Sequence, residues 1–352
     1  MRLFALLRLI LLVAVLICGF HYLFTAIGNR NSRNLRPVCS KTVTNRVDVG
    51  ILKRYPRHSL AQYNLPIASK PLNWLFIQTV LAPLATVCDA EVVFVVNSEP
   101  GNYAERENLR RNVFTENIKL TRRISVFFVI GMSGEPHLDT KVSTEANRKE
   151  DILLVNVLEN YHNITHKARA WITFLHDTCE SPAPKFVTKI DDDIMLDLPG
   201  FLNLLHEFHA FKRVVLGRVY TNGPVMRHPA SKWYLSKKEY ASNGLGLYLQ
   251  GMAYTFSFDL INGMYDNLKR VQYLWMDDWY VTHALMKDLT AIYFDLSKHY
   301  LSLDSEAEVA NRLKRAKLLS RKLLFGHFRP KSAFPADRRQ AAWEKLRLAS
   351  CS

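Results

Sequence analysis

Three consecutive carboxylates, Asp191, Asp192 and Asp193, stand directly after the strand-like run Lys185-Phe186-Val187-Thr188-Lys189-Ile190. Alternate side chains of an extended backbone share a side, so Asp191 and Asp193 can serve one hard cation and orient a ribose or a diphosphate. Without a cation their mutual repulsion is costly. An acidic turn, or the N-terminal cap of a helix beginning near Pro199, would use the same residues with no chemistry at all.

Other residue types invite similar double readings. The pair Asp277-Asp278 precedes Trp279, Tyr280 and Val281, and by itself it reads as the acidic start of a short apolar helix. Trp275, Trp279 and Tyr280 could stack on a sugar face, but aromatics at that spacing read first as core. A lone histidine such as His327 is usually structural, although a neutral imidazole is an acceptable metal ligand. The five cysteines, Cys18, Cys39, Cys88, Cys179 and Cys351, show no CxxC or Cys/His spacing, which argues against a zinc site. Leaving out Cys18, four remain for up to two disulfides of undetermined pairing, or for buried thiols.

The elements around the triplet alternate. Glu91–Val96, Ile124–Ile130, Asp151–Val157 and Lys185–Ile190 read as strands, separated by a charged helix around Arg106–Phe114 and a helix over Thr165–Cys179 with Ala168, Trp171, Ile172 and Leu175 on one face. Such alternation predicts a largely parallel sheet. Ligands of open α/β sheets bind beyond the carboxyl ends of the strands, where the triplet emerges.

At the scale of the chain, 352 residues with 48% hydrophobic content can form one large α/β domain with appendages. The net charge of +15 permits nucleic-acid, anionic-membrane or anionic-substrate contact. Its densest basic group, Arg312 to Lys322, carries no RNA-binding signature and reads as a solvated helix face. Leu9 to Ile27 is apolar enough and long enough to cross a bilayer and lacks a small-residue cleavage site, so it reads as an uncleaved signal anchor. Arginines flank it on both sides and leave its orientation open. The Pro-punctuated stretch 28–85 reads as a stem. Asn163-Ile164-Thr165 is an N-glycosylation sequon, usable only in the secretory lumen.

Several strings together resemble the β-1,3-galactosyltransferase and β-1,3-N-acetylglucosaminyltransferase family. They are Glu150-Asp151-Ile152-Leu153, Glu159-Asn160-Tyr161-His162-Asn163-Ile164-Thr165-His166-Lys167, and Lys189-Ile190-Asp191-Asp192-Asp193-Ile194-Met195-Leu196. Further on come Arg227-His228-Pro229-Ala230-Ser231-Lys232-Trp233-Tyr234, Gln250-Gly251-Met252-Ala253-Tyr254 and Asp277-Asp278-Trp279-Tyr280-Val281. The likeness covers residues 90 to 345. Met252 and Ala253 stand where the family has consecutive glycines, and Val113-Phe114 replaces its usual tryptophan.

The resemblance implies a GT-A nucleotide-sugar-binding α/β fold with a mainly parallel central sheet, preceded by one N-terminal transmembrane helix. It also implies a type II protein of the Golgi membrane or the endoplasmic reticulum: cytoplasmic tail 1–8, anchor 9–27, lumenal stem 28–85, catalytic domain 86–345 and tail 346–352. The implied reaction is inverting transfer of a hexose, galactose favoured over N-acetylhexosamine, from a UDP-sugar to the 3-hydroxyl of a glycan acceptor on glycoprotein or glycolipid. Asp278 becomes the catalytic base. Asp191, Asp193 and His327 become manganese ligands, and Asp191 and Asp192 donor contacts. Arg106 and Arg110 could meet diphosphate oxygens bidentately or form salt bridges on a helix surface. Lys232, Trp233, Gly251 and Asp277 would bind substrate, and Asn163 would carry glycan. No nucleic-acid partner is expected. The altered glycines leave a rival, a non-catalytic lumenal chaperone or glycan-binding protein of the same fold.

Overall fold

The computed structural model describes residues 47, 49–56, 77–303, 305–315, 322–328 and 336–350, all within one compact unit, Arg46–Ser352. The expected tail and anchor (1–27), most of the stem, Cys18, Cys39 and Cys351 lie outside those residues. Among the described residues no helix is long and apolar enough to cross a membrane.

The strands are β1 (Arg54–Pro56), β2 (Thr79–Leu81), β3 (Val92–Asn97), β4 (Ile124–Met132), β5 (Ile152–Leu158) and β6 (Phe186–Asp191), followed by β7 (Ile194–Leu196), β8 (Val214–Thr221), β9 (Leu247–Ser257), β10 (Ile292–Asp295), β11 (Tyr300–Leu303) and β12 (Phe325–Phe328). Nine of them form one sheet in the order β1-β10-β8-β9-β6-β3-β4-β5-β2. β3 sits inside it, buried along its whole length, as its uninterrupted apolar sequence requires. Val93 and Val95 enter the core on one face, with Ala168, Trp171, Ile172 and Leu175 of helix Ile164–Thr178. Val92, Phe94 and Val96 enter the core on the other, with Leu109 of helix Tyr103–Asn112, Val142 of helix Pro136–Lys149 and Phe201 of helix Leu198–Glu207. The period-two pattern of one strand thus divides a three-layer α/β domain.

The expectation of a mainly parallel sheet needs correction. β3 runs parallel to β4 and β6, β4 to β5, and β10 to β8. β9 is antiparallel to both β6 and β8, β1 to β10, and β2 to β5. Between β8 and β9 the chain makes turns and bends with no crossover helix, the helix that usually carries a parallel return, and β9 comes back antiparallel. β1 and β2 fall in the expected stem yet form the two sheet edges, so the folded unit begins before residue 86.

A second, three-stranded sheet, β11-β12-β7, starts immediately after the triplet. β12 pairs antiparallel with β7 and sets His327 opposite Ile194. Cys88 and Cys179 form a disulfide between the turn Ala85–Asp89 and the end of helix Ile164–Thr178, closing 91 residues of chain.

Candidate active site

β6 ends at Asp191, and Asp192 and Asp193 make the turn into β7. The helix that follows begins at Leu198 with Asp197 at its N-cap position, so the triplet is not that helix's cap. Each aspartate has a different partner. Asp191 accepts from the Lys189 ammonium at 2.6 Å. Asp192 accepts from Ser98 Oγ at 2.7 Å and from Asn102 Nδ2 at 2.9 Å. Asp193 Oδ2 lies 3.3 Å from His327 Nε2, two residues 134 apart in sequence, because β12 pairs with β7.

Asp277 and Asp278 open a short helical turn and face the triplet across one cavity of about 830 Å³. The backbone N–H of Trp279 donates to Asp278 Oδ1 at 2.7 Å. Gly251 on β9 passes so close that a Cβ there would lie 3.1 Å from Asp278 Cβ and 3.3 Å from its Oδ2, so a larger residue would press the carboxylate aside by a few tenths of an ångström. Burial, reinforced by Asp277, pushes the Asp278 carboxyl up to about 7 against the opposing pull of the Trp279 N–H and Lys189. Burial likewise pushes Asp191 up to about 6, with Lys189 opposing and Asp193 adding to the rise. Carboxyl groups held near neutrality in a cleft are the usual mark of acid–base or cation chemistry.

Lys189 was not singled out by sequence, although alternation puts it on the Asp191 side of β6. It is 2% exposed, donates at 2.6 Å to the Gly251 carbonyl as well as to Asp191, and stands 3.7 Å from Asp277 Oδ2. Burial pulls its ammonium down, and the carboxylates of Asp191 and Asp277 more than reverse that. Ser98 and Asn102 also escaped notice. Their signal is the parallel register of β3 and β6, which pairs Asn97 with Asp191 and brings the loop after β3 to the triplet.

Arg106 and Arg110 do not reach the cavity, contrary to the expectation that they meet a diphosphate. The fully buried Arg106 guanidinium is bidentate to Glu145 at 2.9 and 2.6 Å. Arg110 is bidentate to Asp151, at 2.8 Å for both contacts. Carboxylates on the neighbouring helix and just before β5 already fill both forks, so the salt-bridge reading applies, inside the protein rather than on its surface. Arg106 still supports the site, because its Nη1 donates to Ser98 Oγ at 3.0 Å, and Ser98 holds Asp192.

The far wall is aromatic. Trp233 Nε1 donates to Tyr161 Oη at 3.0 Å, and the Lys232 ammonium lies 5.1 Å from the Tyr161 ring centroid and 4.8 Å from that of Trp233. Lys232, Trp233, Gly251 and Asp277 all line the cavity. Trp279 and Tyr280 are core residues, each 1% exposed, whereas Trp275 also lines the cavity and stacks on His162 at 4.2 Å. Asn163 is half-buried beside this wall, and its Nδ2 donates to Leu158 O at 2.9 Å.

Among the described residues no group of three or more His, Cys, Asp and Glu side chains could hold a metal by itself. Asp193 and His327 offer one oxygen and one nitrogen donor at 3.3 Å. That pair fits a divalent cation that takes its remaining ligands from a diphosphate and water, and it does not fit a self-sufficient protein cage. Asp191, expected as a further ligand, is engaged with Lys189 instead.

A family model described as galactosyltransferase matches residues 104–296, more than half of the chain, a span that contains the triplet and Asp277-Asp278 and stops before His327. Beta-1,3-galactosyltransferase 5 of Homo sapiens is 29% identical over 190 residues, covering 54% of this chain and 61% of that protein. Human lactosylceramide 1,3-N-acetyl-beta-D-glucosaminyltransferase is 28% identical over 187 residues, covering 51% of this chain and 49% of that protein. The chain thus spans less than two thirds of the length of these relatives. Among solved structures, a mannosyltransferase from Pyrobaculum calidifontis aligns over 79% of this chain and 77% of that chain, at 15% identity and a TM-score of 0.33.

Proposed function

The chain belongs to the galactosyltransferase family, and from that premise we propose that it is an inverting hexosyltransferase of the GT-A type. It moves a hexose, galactose first among the candidates, from a UDP-sugar to the 3-hydroxyl of a glycan acceptor on glycoprotein or glycolipid. The observation that carries this reading is the placement of Asp278, a carboxyl near neutrality, across one cavity from the Asp191–Asp193 turn.

The acceptor hydroxyl attacks the anomeric carbon from the side opposite the diphosphate. The new C–O bond forms as the anomeric carbon–phosphate oxygen bond breaks, the hydroxyl proton passes to Asp278, and the nucleoside diphosphate leaves with the bonding pair. Asp193 and His327 would hold a manganese ion, whose chemistry is to stabilise the negative charge gathering on the leaving diphosphate. Asp192, fixed by Ser98 and Asn102, and Asp191, fixed by Lys189, would orient the ribose and diphosphate of the donor. Lys232, Trp233 and Tyr161 form a wall on which an acceptor sugar can stack.

We place the domain in the lumen of the Golgi, or of the endoplasmic reticulum, behind the apolar stretch 9–27. The Cys88–Cys179 disulfide supports an oxidising compartment, and glycan on Asn163 is part of the same reading.

Product mass spectrometry across a panel of UDP-sugars, with and without manganese, tests the reaction. Wild type should turn over at least one donor only with the cation, and Asp278→Asn should be slower by about 10²- to 10⁴-fold. No turnover of any UDP-sugar by wild type would leave the non-catalytic lumenal binding protein as the better description.

A further inference from the structure

We infer that Lys189 is a positioning residue that sets the distance between the donor side of the cavity and the Asp278 base. The inference rests on the hexosyltransferase reading of the site.

The backbone ladder between β6 and β9 ends at the pair Ile190–Ala253. Beyond it the two strands must still hold a fixed separation, because Asp191 closes one and Gly251 lies in the other. Lys189 supplies that tie with its side chain. Its stem runs beside the Tyr254 ring, with the ammonium 5.6 Å from the centroid, and the ammonium donates to Gly251 O and Asp191 Oδ1, both at 2.6 Å.

From there the constraint passes to the base. Gly251 is packed against Asp278, as the 3.1 Å approach of a Cβ built on it shows, and Asp277 Oδ2 lies 3.7 Å from the same ammonium. One buried cation therefore bonds the donor-side carboxylate and the strand that shapes the seat of the base, and stands beside Asp277 of the acid pair. Methionine, unbranched, uncharged and one atom shorter, fills the space of the stem and makes none of these bonds. In-line transfer depends on that spacing, since a displacement of about 1 Å can cost about 10²-fold in rate.

Lys189→Met, Asp277→Asn and the double variant Lys189→Met/Asp277→Asn test the inference. The double variant restores the charge balance should Lys189→Met alone fail to fold. Folding is followed by thermal unfolding, turnover as separate kcat and donor KM, and the strand tie by amide hydrogen exchange at Gly251–Ala253 in the cation-free protein. The double variant should be as well folded as Asp277→Asn, exchange faster at Gly251–Ala253, and show kcat about 100-fold lower with donor KM within about threefold.

A double variant equal to Asp277→Asn in kcat and in exchange means that the lysine only balances charge, and the inference fails. Equal loss in kcat and in donor affinity overturns it as well, because a general loosening of the pocket then explains the data. If wild type turns over no donor, the hexosyltransferase reading fails first. Exchange at Gly251–Ala253 then still decides whether Lys189 ties the two strands.

Discussion

As the proposed base, Asp278 would combine a chemical task with a folding cost. Its carboxyl sits near 7 because burial and Asp277 disfavour the anion, whereas an exposed carboxyl in the unfolded chain titrates near 4. The folded state therefore holds an extra proton between about pH 4 and pH 7. The stabilisation from this group is fully present below about pH 4 and is lost as pH rises through about 7. Asp278→Asn should abolish that loss, leaving the cation-free protein more stable than wild type by several kcal/mol at pH 7.5 and by only about 1 kcal/mol at pH 4.5. Thermal unfolding at the two pH values checks it, and a variant less stable at both would show that the carboxylate is not strained. With Asp278 as base, kcat/KM should fall about tenfold per pH unit below the midpoint of its acid limb. Asp277→Asn should move that midpoint down, since Asp277 helps raise it. The triplet, the acid pair and His327 were all legible as residue types, but Lys189 was not. A lysine in a strand normally reads as solvent-facing, and only the carboxylates of two separate segments, Asp191 and Asp277, together with the Gly251 carbonyl, make its burial tolerable.

The elements carrying these residues were readable where periodicity was strong. Ala168, Trp171, Ile172 and Leu175 share the buried face their spacing predicts, and β3 is the fully buried strand its Val-Val-Phe-Val-Val run requires. What failed was direction and pairing. A period-two pattern says which face a strand buries and nothing of which neighbour it meets, so β9 running antiparallel between β6 and β8 was hidden. The same gap hid the β7–β12 pairing that brings His327 to Asp193. It also misled the reading of helix Tyr103–Asn112, whose Arg106 and Arg110 resemble a diphosphate clamp in sequence and become a buried ionic lattice once Glu145 and Asp151 arrive. Arg106→Met should therefore act mainly on stability, costing about 3 kcal/mol because it removes the bidentate partner of buried Glu145 and leaves Arg110 alone to hold it. Denaturant unfolding measures that loss, and donor KM per folded molecule should stay within about threefold. A large rise in KM with unchanged stability would restore the diphosphate role.

Charge is distributed against expectation in the molecule as a whole. The chain carries a net +15, which alone suggests an attraction for anions. Yet the cavity is lined by Glu99, Glu159, Asp191, Asp192, Asp193, Asp277 and Asp278 against Lys167, Lys189 and Lys232. Two of those lysines are already committed, Lys167 to Glu159 at 2.9 Å and Lys189 to Asp191 at 2.6 Å. A nucleoside diphosphate entering this space alone would meet carboxylates in a poorly screened cleft. The basic exterior can raise the encounter rate of an anionic donor, but it cannot seat the diphosphate. On the proposed reading, a divalent cation beside Asp193 and His327 would supply the counter-charge. UDP affinity should thus depend on manganese far more steeply than on ionic strength. In thermal-shift titrations, UDP with manganese at about 100 times its Kd should stabilise the protein by about 2.7 kcal/mol, and UDP with a chelator by almost nothing. His327→Ala should weaken the manganese-dependent shift while leaving the cation-free melting point nearly unchanged, because its side chain is only partly buried at the cavity edge. Equal UDP stabilisation with and without the cation would instead assign the diphosphate to lysines, Lys232 foremost, and would remove the charge argument for metal dependence.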